Sequence, residues 1–309
     1  MNAFQNPSLL DIYAGFFGSQ VAIAPEYLVV TLFIAFIIYK YRHVGTGFWV
    51  WALPKNIYGH ASCKLDIKLF VVGQLMALFG LINKVTFSTI IASAVAGVIN
   101  IHIDSKILEN PLVIAGIIFL LNDFVAYWLH RFYHQTPAFW PLHSVHHSAE
   151  VLTPITTYRH HPLSVLISYF VNSIFYGLLQ GVFMGIFVKQ FQYTEVVGIN
   201  VFYFTFLLIV NNFHHSHIWV SFGRFWGCIF ISPAQHHIHH SLDPCHHNKN
   251  YGQFLALWDA LFGTLYNPKT YEKISVGIAD AKGLKLPQRH RSLIQAVIVP
   301  ISDIWKENR

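Results

Sequence analysis

The sequence predicts an all-α protein, a polytopic transmembrane helical bundle with a histidine-rich cap on its cytoplasmic face. Three observations predict it. The 309 residues are 54% apolar and only 11% charged, against about 25% charged in ordinary soluble domains, and mean hydropathy is +0.45. Several apolar runs approach the roughly 20 residues with which a helix spans a bilayer. Sixteen of the 20 histidines fall between residues 130 and 247, flanking those runs.

The first run, 27–39, reaches spanning length by borrowing 21–25 and ends at Lys40, Tyr41, Arg42 and His43. Further expected spans are 67–82, 85–101, 111–129, 163–188 and 196–210. Gly177, Gly181 and Gly185 recur every four residues on one helical face. Such a stripe lets membrane helices approach closely, although glycine is also simply frequent in them. If all the histidine clusters serve one site, the spans at 163–188 and 196–210 form a hairpin that returns 130–161 and 214–264 to the same side. Residues 265–309 hold eight Lys/Arg against four Asp/Glu, which marks that side as cytoplasmic. Lys40, Arg42, Lys55, Lys64 and Lys68 ask for the same side. The segment 67–101 must then make an odd number of crossings, with one of its two parts interfacial or re-entrant. Residues 1–266 read as the integral membrane unit and 267–309 as a basic cytoplasmic appendage, with an interfacial amphipathic helix over 292–304.

The same composition excludes other classes. Cys63, Cys228 and Cys245 are odd in number and share no spacing, so no disulfide framework is expected and a reducing compartment fits. No basic n-region leads into an apolar core within the first 25 residues, so no cleaved signal peptide is expected. No basic stripe is interleaved with stacking aromatics, so nucleic acid is not an expected partner.

The histidines repeat one spacing: His130/His134, then His143/His146/His147, then His236/His239/His240. Residues i, i+3 and i+4 share a helix face, so each cluster aims its imidazoles at one point. Pro137 and Pro141 turn the chain between the first two clusters, and Ser232-Pro233 introduces the third. Eight converging histidines exceed the four to six ligands one ion takes, so two metals is the natural count. Imidazole suits zinc, copper, iron and nickel alike. The lack of tetrahedral cysteine sites argues against structural zinc, and a redox reaction on a lipid would justify iron at a membrane surface. His160, His214, His237, His246 and His247 read as hydrogen-bonding neighbours, and His217 stands open between the two roles. His43, His60, His102 and His290 are isolated. Cys245, beside His246, reads as a spectator thiol. Asp123 and Asp259 are either ordinary polar residues near helix ends or acceptors of the second N–H of a metal-bound histidine. An aspartate at the end of an apolar span is costly unless partnered.

These clusters, in this order, resemble the fatty acid hydroxylase/sterol desaturase superfamily of membrane di-iron enzymes. The resemblance runs from about residue 122 to 266. It is carried further by Asp123-x3-Tyr127-x2-His130-Arg131, HHSAEVLTPITTYRHHP (146–162), SPAQHHIHHS (232–241), NYG (250–252) and WDALFGT (258–264). It implies O2-dependent hydroxylation of a lipid C–H bond, on a fatty acyl chain, sterol, alkyl ether or aminolipid. The centre would be two irons held by His130, His134, His143, His146, His147, His236, His239 and His240. Desaturation on the same centre is the alternative. His215 matches a further family histidine and His161 another. Asn211, four residues before His215 on the same helical face, would approach a metal through water. Electrons would come from an external ferredoxin, rubredoxin or cytochrome-type donor, since the chain has no cysteine cluster. A histidine-rich metal transporter is a remote alternative, and its histidines would lie at the bilayer midplane inside the spans. The chain departs from the family pattern at Ser164, where many relatives carry glutamate, and at Asn248, where an acid is expected before NYG.

Overall fold

Helix starts follow the punctuation of the sequence. Pro25, Pro111, Pro141, Pro162 and Pro233 each stand in the first turn of a helix, where proline's missing N–H costs nothing. The computed structural model describes residues 8–18, 21–82, 84–101, 103, 110–187 and 201–307. His102, and residues 196–200 that begin the last expected span, lie outside these. The helices are α1 (Leu9–Phe17), α2 (Pro25–Tyr41), α3 (Phe48–Ala52), α4 (Lys55–Tyr58), α5 (Ala61–Leu78), α6 (Lys84–Ile99) and α7 (Pro111–Gln135). They continue as α8 (Trp140–His147), α9 (Pro162–Phe187), α10 (Val201–His214), α11 (Gly223–Trp226), α12 (Pro233–His239), α13 (Leu257–Leu261) and α14 (Leu293–Glu307). Among the described residues no strand forms, only three isolated antiparallel bridges. The all-α expectation holds.

Among the described residues two helices, α7 and α9, are long and apolar enough to cross a membrane, at 25 and 26 residues. The other expected spans form shorter or more polar helices. Lys40, Tyr41 and Arg42 close α2 after 17 residues. The 18-residue α5 carries Lys64, Asp66 and Lys68 in its first half. Both α6 and the described part of α10 are shorter than a crossing.

The glycine stripe is a packing device. A Cβ added at Gly177 would stand 2.8 Å from the Ser88 carbonyl; at Gly181, 2.7 Å from that of Ala92; at Gly185, 3.0 Å from that of Ala96. Both series ascend together, so α6 and α9 run parallel with their backbones in near contact. Gly181→Ala is expected to destabilise the chain by about 1–3 kcal/mol through overpacking, read as a lowered melting temperature in detergent. An unchanged melting temperature would contradict the close approach.

The segment after residue 266, expected as an appendage, packs back onto the cap because α14 has an apolar face to bury. Ala296 is fully buried among Leu65, Leu69 and Val145, joining α14 to α5 and α8. Ile304 reaches the α7–α8–α9 corner formed by Leu129, Tyr133 and Leu142.

Candidate metal centre

Four segments bring the histidines together. The last turns of α7 carry His130 and His134. The short α8 carries His143, His146 and His147. His215 follows directly on α10, which ends at His214 after a π-turn over Leu207–Asn211. α12 carries His236 and His239, with His240 as its C-cap. That helix starts where local chemistry demands: the Ser232 hydroxyl accepts from the Gln235 N–H, and the Gln235 carboxamide oxygen accepts from the Ser232 N–H. This reciprocal box satisfies two donors that a helix start otherwise leaves bare.

The imidazoles divide into two groups that could each hold a metal. One is His130, His134, His143, His147 and His239; the other is His146, His215, His236 and His240. Within each group the ligand atoms lie within 4.8 Å of one another. α8 serves both groups, since His143 and His147 face one and His146 the other. α12 does the same through His239 on one side and His236 and His240 on the other. Rings of the two groups touch, with His147 and His240 stacked at 4.5 Å.

The chemistry of the donors fits bound metal. In the four-membered group the Nε2 atoms face each other, His146 to His215 at 3.3 Å, His215 to His236 at 3.0 Å and His236 to His240 at 3.2 Å. The Nδ1 atoms of all four are buried without a hydrogen-bond partner. In the five-membered group the Nε2 atoms of His134, His147 and His239 are likewise buried and unpartnered. Buried polar atoms are normally satisfied, so the mutually facing Nε2 atoms of one group and the unpartnered Nε2 atoms of the other suit bound cations. Two ligands are oriented from behind: His130 Nδ1–H donates to the Tyr251 carbonyl at 2.8 Å, and His239 Nδ1–H to that of Lys249 at 2.9 Å. These bonds select the tautomer that leaves the Nε2 lone pair for a metal. Burial pushes His143, His146, His147, His215, His236, His239 and His240 well below the ordinary imidazole value of 6.5, and neighbouring imidazoles reinforce it. They are therefore neutral at pH 7, the form that binds metal.

Nine of the ten expected ligands fall in these groups. The tenth, His161, does not: its Nε2–H donates to the Val297 carbonyl on α14 at 2.9 Å, and its Nδ1 accepts from the Leu163 N–H at 3.0 Å. Both nitrogens are engaged, so His161 holds the C-terminal helix against the cap. Asn211 is in neither group. It closes the π-turn four residues before His215, the C-cap of α10, with its Nδ2 buried without a partner. Neither aspartate touches a ligand histidine. Asp123 accepts from the N–H groups of Phe254 and Leu255 and from Trp258 Nε1. Asp259 accepts from the Tyr251 and Gly252 N–H groups at 2.8 Å each and from the Thr264 hydroxyl at 2.6 Å. Carbonyls, not carboxylates, orient the imidazoles, while the carboxylates grip the loop that supplies one of those carbonyls.

The neighbouring histidines have other work. His160 stacks on His146 and His214 on His236. His217 Nε2–H donates to the Trp51 carbonyl, His237 to that of Phe213 and His247 to that of Leu242. His246 lies between Ser241 and Glu272. The NYG segment also acquires reasons. Asn250 adopts φ +58°, which asparagine tolerates; its Nδ2 donates to the Gln235 and Tyr266 carbonyls, and its Oδ1 accepts from the Tyr266 N–H. A Cβ at Gly252 would stand 2.9 Å from the Asp259 carboxylate. The two departures from the family pattern have structural roles: the Ser164 hydroxyl donates to the His161 carbonyl, and Asn248 accepts the Tyr251 hydroxyl.

Two convergent imidazole groups on a helical scaffold, each able to hold a metal ion, are the arrangement of a histidine-box protein. Residues 115–264, the histidine-bearing part of the chain, match the family model described as Fatty acid hydroxylase. The chain is 30% identical over 173 residues to ornithine lipid hydroxylase OlsE of Rhizobium tropici, covering 55% of this chain and 47% of that protein. It is 30% identical over 148 residues to alkylglycerol monooxygenase of Homo sapiens, covering 47% and 29%. It is 28% identical over 166 residues to lathosterol oxidase of Homo sapiens, covering 52% and 48%. The chain thus spans about half or less of these curated relatives. No solved structure matches it significantly.

Proposed function

We propose that this chain is a membrane-bound di-iron oxygenase that hydroxylates a lipid C–H bond with O2 and electrons from an external carrier protein. The observation that carries this reading is the pair of adjacent imidazole groups inside the segment that matches the family. His130, His134, His143, His147 and His239 would hold one iron, and His146, His215, His236 and His240 the other. Bound iron would supply the oxidising chemistry with O2. The protein's own part is to fix the imidazoles from behind and to keep the centre buried, so that the oxidant meets lipid rather than water. Desaturation is the second reading, favoured by one observation: sterol desaturases are among the relatives at similar identity.

α7 would enter the cap from the far side of the membrane and α9 would leave it, placing the histidines and α14 on the cytoplasmic face. The parallel course of α6 and α9 supports one net outward crossing before α7, as the charge distribution asks. A ferredoxin, rubredoxin or cytochrome-type carrier would dock on the same face. Exposed Ile294, Ile298, Ile301 and Trp305 form one apolar stripe on α14, suited to lying at the bilayer interface.

The test is mass spectrometry of lipids from cells expressing the chain, against cells without it. A lipid gaining one oxygen is expected, and a lipid losing two hydrogens would establish desaturation instead. Purified protein free of iron, with an unchanged lipid profile, would overturn both readings.

A further inference from the structure

α8 lies between the two imidazole groups, so whatever fixes its end fixes their separation. Its C-terminal carbonyls are held by a side chain from outside the histidine clusters. Arg159 is fully buried. Its Nε–H donates to the Val145 carbonyl at 2.7 Å and its Nη2 to the Ser148 hydroxyl at 2.9 Å. Those two residues bracket His146 and His147, one ligand from each group. The remaining arm of the guanidinium, Nη1, donates to Asp66 at 2.6 Å and to the Ser62 hydroxyl at 3.2 Å on α5. Asp66 in turn accepts from the Thr156 hydroxyl at 2.7 Å. A planar cation at a helix C-terminus both satisfies free carbonyls and opposes the helix dipole. Its fork also fixes direction, which a lysine cannot do. The rigid fork therefore sets the α8 terminus relative to α5, and with it the side on which each imidazole projects.

We propose that Arg159, backed by Asp66, is a positioning residue for the two-metal centre that sets where His146 and His147 stand relative to each other. The inference rests on the metal-centre reading above. It predicts an uneven effect. If the α8 terminus shifts, the five-membered group keeps His130, His134, His143 and His239, whereas the four-membered group is left with His215, His236 and His240. The second group should weaken first.

The experiment is cobalt(II) titration of the full-length chain purified in detergent, followed by visible absorption and by metal per chain. Arg159→Lys is the test variant, since it keeps the charge beside Asp66 and removes the fork. Wild type should take up two ions. Arg159→Lys should bind one at wild-type affinity and the other about 10–100-fold more weakly, the range typical for losing an outer partner of a ligand. Gly185→Ala, which strains the α6–α9 contact far from the histidines, should lower the melting temperature yet keep both ions. Two ions at wild-type affinity in Arg159→Lys would overturn the proposal, as would equal weakening of both sites in Arg159→Lys and Gly185→Ala alike. If Arg159→Lys fails to fold, Ser148→Ala removes one acceptor and leaves the ion pair; it should selectively weaken the second ion, and wild-type binding would count against the proposal. Fewer than two ions on wild type would overturn the metal-centre reading itself.

Discussion

His239→Ala/His240→Ala is expected to strip metal from both groups at once and reduce lipid product to background. His239 belongs to the five-membered group and His240 to the four-membered one, so this adjacent pair removes a ligand from each. Loss of an outer partner already costs about 10–100-fold in metal affinity, and loss of a ligand from each group should exceed ~100-fold. Metal per chain and oxidised lipid measure it together. The neighbouring His237→Gln is the contrast: its ring bonds the Phe213 carbonyl and lies in neither group, so both metals should remain. Retention of two metals by the double variant would show that these imidazoles do not hold them.

The second large effect concerns Asp259. Its carboxylate accepts from the Tyr251 N–H, the Gly252 N–H and the Thr264 hydroxyl, and it is fully buried. Burial pushes its carboxyl above the usual carboxylate range, while those three bonds and the Arg131 charge pull it back. Asp259→Ala leaves three buried donors bare at about 1–3 kcal/mol each. Allowing for local relaxation, a loss of about 3–5 kcal/mol is expected. The same change frees the Tyr251 carbonyl, which orients His130. Metal affinity of the five-membered group should therefore fall about 10–100-fold. Thermal unfolding and metal titration test the two parts separately. A wild-type melting temperature would contradict the role assigned to the carboxylate.

Much of the site was legible because its signal is local. Histidines three and four apart share a face on any helix, so the clusters stood out without tertiary information; but each was expected to aim at one point, whereas α8 and α12 each divide their imidazoles between the two groups. Ser232, Pro233 and Gln235 likewise carry the start of α12 in four consecutive residues. Arg159 was not legible, since its partners Asp66 and Val145 lie 93 and 14 residues away. The one available hint was Asp66 itself, a carboxylate in an apolar segment that must find a partner.

His161 and Asp123 show the other side. Both have the residue type and neighbourhood of centre residues, and both lie outside it. His161 sits beside Pro162, whose helix α9 turns it toward α14, where the Val297 carbonyl meets its ring. Asp123 stands seven residues, about two turns, before His130 on α7, and it reaches the loop at Phe254 rather than an imidazole.

By itself the sequence determined that the chain is helical, apolar and armed with imidazoles at one-face spacing, because those properties depend only on residue type and helical period. Only the tertiary structure decided how nine histidines divide into a five and a four, and which carbonyls stand behind them. It also placed a buried guanidinium at the C-terminal end of α8. Those outcomes depend on contacts between residues far apart in the chain, and no local periodicity encodes them.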